Sequence, residues 1–150
     1  MTDLEELWRD EYPGLVHLAR LLLAAPSGGE DVVQDAFARV AARPGGLQGV
    51  DNPGGYLRTA VVNACRSEVR HREVVRRHRP DPQEASVPSY LVEFADALGA
   101  LPERQRAAVV LRHHCDLPDA EIARILGCRR STVRSLVRRG LASLREVIEP

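Results

Sequence analysis

The sequence predicts an all-α protein built as two small helical domains joined by a short proline-rich linker, and three observations carry that reading. Strand signals are nearly absent, since aromatic residues make up only 4% of the 150 residues. Apolar residues recur instead at helical spacing almost everywhere along the chain. Finally, residues 80–89, PDPQEASVPS, hold three prolines with almost no apolar periodicity, which is the composition of a linker. Stretched out, a segment of that length reaches roughly 30 to 35 Å, enough to set two domains a protein diameter apart. The chain length alone would allow one ordinary domain or two small helical ones, and the periodicity favours two, at 1–79 and 90–150.

The first helix is expected from about Asp3 toward Ala25, with Pro13 a point of bending and Pro26 to Gly29 ending it. Its apolar run Leu15 to Ala25 is interrupted by His17 and Arg20 and is too short to span a bilayer, so it reads as a buried helix without membrane insertion. A second helix from Glu30 to about Ala42 sets Val33, Ala36, Phe37 and Val40 on one side and Asp31, Gln34, Asp35 and Arg39 on the other. A Gly- and Pro-rich loop follows, Arg43 to Gly55. Loops of about a dozen residues in compact domains are usually functional or disordered. A third helix starts near Gly55 and runs into the arginines ending at Arg79. On a wheel begun at Tyr56, Leu57, Val61, Val62, Ala64, Cys65 and Val69 share one arc. Tyr56, Thr59, Ala60, Asn63, Arg66, Ser67 and Arg70 share the other. That second arc offers an aromatic ring, an amide, hydroxyls and guanidiniums, a set suited to bases and phosphates together. A solvated helix face is the competing explanation, because Glu68 and Glu73 dilute the charge. Arg58 falls in the apolar arc, where an ion pair or a snorkelling stem would accommodate it.

In the second domain a helix is expected from near Tyr90 through Leu98, and another from Leu101-Pro102-Glu103 to about Cys115. Leu117 to Arg145 then reads as a helix-turn-helix. Its first helix, from Asp119, carries Ile122, Ile125 and Leu126 on one side and ends at Gly127, which can supply a left-handed turn. Ser131 or Thr132 is placed to cap the second helix. On that helix Val133, Leu136, Val137, Leu141, Leu144 and Ile148 form an apolar arc, and Arg134, Ser135, Arg138, Arg139 and Arg145 fill the opposite one. From Arg129 to Arg145 there are six arginines and no acid, whereas a merely solvated helix usually mixes signs. The pattern points to DNA.

The net charge of zero hides strong segregation. Residues 53–80 carry seven Arg against two acids and 129–145 six against none, while 1–52 carry four against nine. Two basic blocks amid acidic surroundings suggest two separate anionic contacts and acidic surfaces left for a basic partner. All 21 basic residues are Arg, which bonds phosphate and guanine edges bidentately. Three cysteines, Cys65, Cys115 and Cys128, with no secretory segment before them, fit a reducing cytoplasm. His113-His114-Cys115 with Cys128 lacks the ligand spacing of a zinc site, so no metal or other cofactor is expected. No phosphate loop, nucleophile elbow or carboxylate pair argues for an enzyme.

Four segments taken together, EDVVQDAF (Glu30 to Phe37), DNPGGYLRTAVVNACRSEVRHR (Asp51 to Arg72), LPERQRAAVVLRHHCDLPDAEIARILGC (Leu101 to Cys128) and STVRS (Ser131 to Ser135), resemble bacterial RNA polymerase sigma factors of the extracytoplasmic function group. That group keeps only the domains called region 2 and region 4. The resemblance covers nearly the whole chain in the right order. It implies a region 2 helical bundle at 1–79 and a region 4 helix-turn-helix at 90–150. It implies docking of Asp31, Gln34, Asp35 and Phe37 on the clamp helices of the polymerase's largest subunit, with the flap of the second-largest subunit a further contact. The loop from Leu47 to Gly55 and the face bearing Tyr56, Thr59 and Asn63 would capture a flipped base of the minus-ten element, and Arg66, Arg70, Arg72, Arg76 and Arg77 would hold duplex and single-strand phosphates. Arg130, Ser131, Thr132, Arg134, Ser135, Arg138 and Arg139 would meet the major groove of the minus-thirty-five element, with Arg112 on a phosphate. An anti-sigma factor becomes a candidate partner. Where many relatives have Gly-Thr-Val and Ser-Arg, this chain has Ser131-Thr132-Val133 and Ser135-Leu136, so their base preference does not transfer. Two other readings stand beside this one: a stand-alone helix-turn-helix regulator with residues 1–80 as a dimerising or sensing domain, and a decoy that kept the fold and lost initiation.

Overall fold

The computed structural model describes residues 3–25, 28–76 and 95–148, the last four of the middle stretch as backbone only. The chain divides into two compact units. The expected linker at 80–89, the start of the second domain near Tyr90 and the roles given to Arg76 and Arg77 lie outside the described residues.

The first unit is three helices, α1 (Leu4–Leu23), α2 (Gly29–Ala41) and α3 (Pro53–Arg76), each packed on the other two. Asp3 opens α1 by accepting the Glu5 N–H at 3.0 Å, and Glu5 and Glu6 in the first turn suit the positive end of the helix dipole. Pro13 lies inside α1, which continues to Leu23 and stops short of Ala25. Beyond Pro13 the helix turns inward: Leu15, Val16, Leu18, Ala19, Leu22 and Leu23 are buried, as expected of that apolar run. They meet Val33, Ala36 and Val40 of α2 and Leu57, Val61, Val62, Cys65 and Val69 of α3. Burying one such Leu or Val side chain contributes about 1.5–3 kcal/mol. Burial also pushes the Cys65 thiol up to about 12. Arg20 of α1 pairs with Glu30 in the first turn of α2.

α3 begins two residues before the expected Gly55. Asn52 provides the start: its Oδ1 accepts the Gly55 N–H at 3.0 Å and Pro53 takes the first helical position, where a missing N–H costs nothing. Arg58 is half-buried and forms no ion pair among the described residues, as a stem laid along apolar surface would.

The second unit contains a helical segment at 95–99 (α4), then α5 (Glu103–His113), α6 (Asp119–Leu126) and α7 (Arg130–Ile148). Six consecutive residues of α5, Arg106 to Leu111, are buried, so this helix is the unit's axis rather than one of its faces. The Arg106 guanidinium is tied down by donating from Nη2 to the Leu101 carbonyl at 3.3 Å. α6 covers the axis with Ile122, Ala123, Ile125 and Leu126, and α7 packs on both α5 and α6. α7 approaches α5 so closely at Gly140 that a Cβ there would fall 2.6 Å from Val109 Cγ2. α7 starts at Arg130, so Ser131 and Thr132 lie in its first turn and do not cap it. No helix among the described residues is long and apolar enough to cross a membrane.

Candidate nucleic-acid interface

The second unit presents the simpler surface. Gly127 takes φ 66° and ψ 43°, the left-handed geometry that ends α6, and the Cys128 N–H closes the turn on the Ala123 carbonyl at 3.0 Å. After this turn Val133 is fully buried, which fixes the rotation of α7 about its axis. Arg130, Ser131, Arg134, Arg138 and Arg139 consequently project outward and are exposed, with Thr132 and Ser135 half-buried at the margins. The apolar arc is less covered than its wheel suggests, since Leu141, Val147 and Ile148 are exposed.

Two of the expected contacts are linked by a residue the sequence reading passed over. Asp119, at the first position of α6, is only 19% exposed and pairs with Arg112 of α5 through Oδ1. Its Oδ2 lies 3.9 Å from Nη1 of Arg134 on α7, whose side chain remains 64% exposed. One carboxylate thus braces all three helices and orients Arg134. The available signal was an acid at the first turn of a helix, where it suits the dipole.

In the first unit Tyr56, Asn63 and Arg70 are exposed along one face of α3, and Thr59 and Arg66 are half-buried on the same face. Their reach differs. Thr59 Oγ1 donates to the Gly55 carbonyl at 3.0 Å, and Arg70 Nε donates to the Arg66 carbonyl at 3.2 Å. Arg72 pairs with Glu68 at 3.1 Å. Asn63 and Tyr56 are thus an exposed amide and an exposed aromatic residue on one face of α3.

Leu47 requires correction. Expected in the minus-ten loop as a contact, it is only 3% exposed. Its side chain sits in the core and anchors the loop, because an isolated leucine between glycines gains more from burial than from presenting itself to water. On α2, Asp31, Gln34 and Asp35 are exposed as expected. Phe37, grouped with them for the clamp helices, is half-buried, with its ring centroid 4.3 Å from that of Trp8, which in turn lies 4.5 Å from that of Tyr12. These rings line an open groove of about 500 Å³ together with Leu4, Glu5, Arg9 and Pro13. Trp8 and Tyr12, four residues apart on α1, were the sequence signal for it. Among the described residues no three His, Cys, Asp or Glu side chains come together as metal ligands would.

A family model for Sigma-70 region 2 matches residues 7–75, and one for Sigma-70, region 4 matches residues 91–144. An RNA polymerase sigma-E factor of Streptomyces avermitilis is 31% identical over 99% of this chain and 87% of its own length. The ECF RNA polymerase sigma factor SigM of Mycobacterium tuberculosis is likewise 31% identical, over 96% of this chain and 76% of that protein. The chain belongs to the extracytoplasmic function sigma factors of the sigma-70 family.

As such a sigma factor it is non-catalytic: it binds core RNA polymerase and directs it to promoters through regions 2 and 4. The reading as a stand-alone regulator falls with this. Among solved structures, the sigma factor RpoE in complex with the anti-sigma factor NepR from Bartonella quintana matches with a TM-score of 0.80 and 25% identity, over 99% of this chain and 98% of that one. CnrH in complex with the cytosolic domain of CnrY shares the fold, with a TM-score of 0.72 at 23% identity, over 97% of this chain and 87% of that one.

Proposed function

We propose that residues 1–79 of this sigma factor bind the polymerase clamp helices and the minus-ten element, that 80–89 link, and that 90–150 read the minus-thirty-five element and meet the polymerase flap. The observation that carries this is the pairing of an outward basic face on α7, without an acid from Arg130 to Arg145, with an exposed ring and amide, Tyr56 and Asn63, on α3. Asp31, Gln34 and Asp35 offer the clamp helices a polar, acidic stripe that nothing in the unit covers. Asn63 takes the extruded base, whose unstacking costs a few kcal/mol that the contacts must offset. Arg66 and Arg70 hold the strand beside it. On α7, Arg134 with Ser135 reads base edges, because residues near the start of a groove helix usually reach them. Arg130, Arg138, Arg139 and Arg112 position the backbone. The likeness to RpoE, seen with NepR, supports an anti-sigma factor as a further partner of this chain.

Reconstitution with core enzyme, run-off transcription and sequencing of transcript starts tests the whole. Asn63→Ala should leave helicity and polymerase binding intact and reduce promoter melting, read by permanganate footprinting; unchanged melting would remove the base pocket from this face. Selection from randomised upstream elements should give different motifs for wild type and Arg134→Ala, with about 1–3 kcal/mol lost at the position read. Arg139→Ala should weaken all sequences alike and reduce the salt slope by about one unit.

A further inference from the structure

We infer that Arg43 is a positioning residue of the minus-ten site, forming with Tyr56 a two-part platform on which an unpaired base stacks while the guanidinium takes the adjoining backbone phosphate. This rests on the assignment of the α3 face bearing Tyr56 and Asn63, with the loop before it, to the minus-ten element. Arg43 follows α2, thirteen residues before Tyr56, yet its guanidinium carbon lies 4.6 Å from the centre of the Tyr56 ring. From the same guanidinium, Nη1 donates to the Gly46 carbonyl at 3.2 Å. The side chain is thus held at two points, by the loop's first turn and by the first turn of α3.

Three further features give this pair a nucleotide-binding character. No acid neutralises Arg43 among the described residues, so its charge remains available to an anion, unlike that of Arg72 or Arg20. Tyr56 is 38% exposed although a cation already lies against its ring, so the residue is still open to a ligand. Tyr56 also stands on the same side of α3 as Asn63, two turns away, or about 10 Å along the axis. A guanidinium is planar and stacks as rings do, and every base offers a π-face to such a surface regardless of its identity. The division of labour follows: Asn63 distinguishes the extruded base, and the Arg43–Tyr56 pair holds an unpaired nucleotide without regard to sequence.

The test uses reconstituted holoenzyme on a promoter mapped from its own transcript starts, with 2-aminopurine placed in turn at each minus-ten position of the non-template strand. Tyr56→Ala should quench less and bind the single strand roughly five- to a hundredfold more weakly. Arg43→Ala, whose side chain is exposed and outside the core, should weaken binding roughly three- to tenfold and lower the salt slope by about 0.7 unit, the signature of one single-strand phosphate. Arg43→Lys should restore the slope and recover less than half of the lost affinity. A residue that only pins the loop would change affinity without changing the slope, so an unaltered slope for Arg43→Ala overturns the proposal. Full recovery by Arg43→Lys overturns its stacking part. If Tyr56→Ala and Asn63→Ala both left melting untouched, the minus-ten assignment itself would fail; if they impaired it and Arg43→Ala did not, only the role of Arg43 would.

Discussion

The two units meet DNA with differently prepared surfaces. In the second, the basic residues of α7 from Arg130 to Arg145 lie on one regular helix with no acid between them, and among the described residues a single carboxylate, Asp119, pairs with one of them from α6. In the first, the arginines of α3 are largely engaged in local bonds, Arg72 with Glu68 and Arg70 with the Arg66 carbonyl, and the exposed Asn63 and Tyr56 sit beside a long loop. A rigid duplex presents regularly spaced phosphates and groove edges, which a straight helix with open charges can match. A melted strand presents separate bases, which need planes and amides at particular places. Under the proposed assignment of the two faces, the difference in charge pairing corresponds to the difference in substrate.

The comparison can be broken most forcefully at the cores. Ile122→Ala, at a fully buried position against the α5 axis, should cost about 2–5 kcal/mol. It should accelerate amide hydrogen exchange throughout α5–α7. If α1–α3 lost protection equally, the division into two units would not describe their energetics. Helix starts give the next largest effect. Asn52→Ala should destabilise the first unit by about 1 kcal/mol, since it removes the cap of α3, whereas Ser131→Ala should change stability by less than about 0.5 kcal/mol, since Ser131 is not a cap. Thermal unfolding of both variants checks this, and equal losses would mean that α7 depends on the Ser131 hydroxyl after all.

Asp119→Asn sharpens the contrast in charge. Arg112 and Arg134 would lose their shared acid, so duplex binding of any sequence should strengthen by about two- to fivefold and discrimination at the position read by Arg134 should fall. Stability should drop by no more than about 1 kcal/mol, because the guanidinium ends are partly exposed. Anisotropy titrations against specific and scrambled duplexes measure both. The smallest effect lies in the first unit. The backbone N–H at Glu30 and then Arg20 hold the Glu30 carboxyl below its usual range. A depressed folded-state value adds stability above the ordinary carboxylate pKa and loses it as pH falls through the lowered value. Glu30→Gln should therefore lower stability at neutral pH by under about 1 kcal/mol and leave it nearly unchanged at acid pH, which flattens the acid limb.

The parts of the fold legible in the sequence were those carried by local periodicity. The α7 stripe is a property of one helix, and six arginines without an acid stand out in a linear reading. The buried run of α1 and the Gly127 turn were visible for the same reason. What escaped depended on depth or on distant partners. α5 could not be recognised as an axis because a helix buried all round loses its amphipathic signature, and Arg106 within it disguises the burial further. Leu47 was misplaced because a glycine-rich stretch gives no indication of which residue turns inward. Asp119 and Arg43 matter only through residues brought to them by tertiary structure, Arg112 and Arg134 for one and Tyr56 for the other. The groove of Trp8, Tyr12 and Phe37 also went unread: the spacing of Trp8 and Tyr12 puts them on one face of α1, but only tertiary packing brings Phe37 to it.

The buried Leu47 has a consequence for how this loop can change. By fastening the chain near its midpoint, it divides the connection between α2 and α3 into two short spans, each closed independently. The entropy of closing a loop rises only slowly with its length, so residues could be added to the span after Leu47 at little cost to the bundle, while the span before it kept its geometry. A surface partitioned in this way is separable into a constant half and a variable half. Diversifying positions 48–51 alone, with Leu47 retained, would vary the exposed surface of this loop and leave the framework of helices untouched.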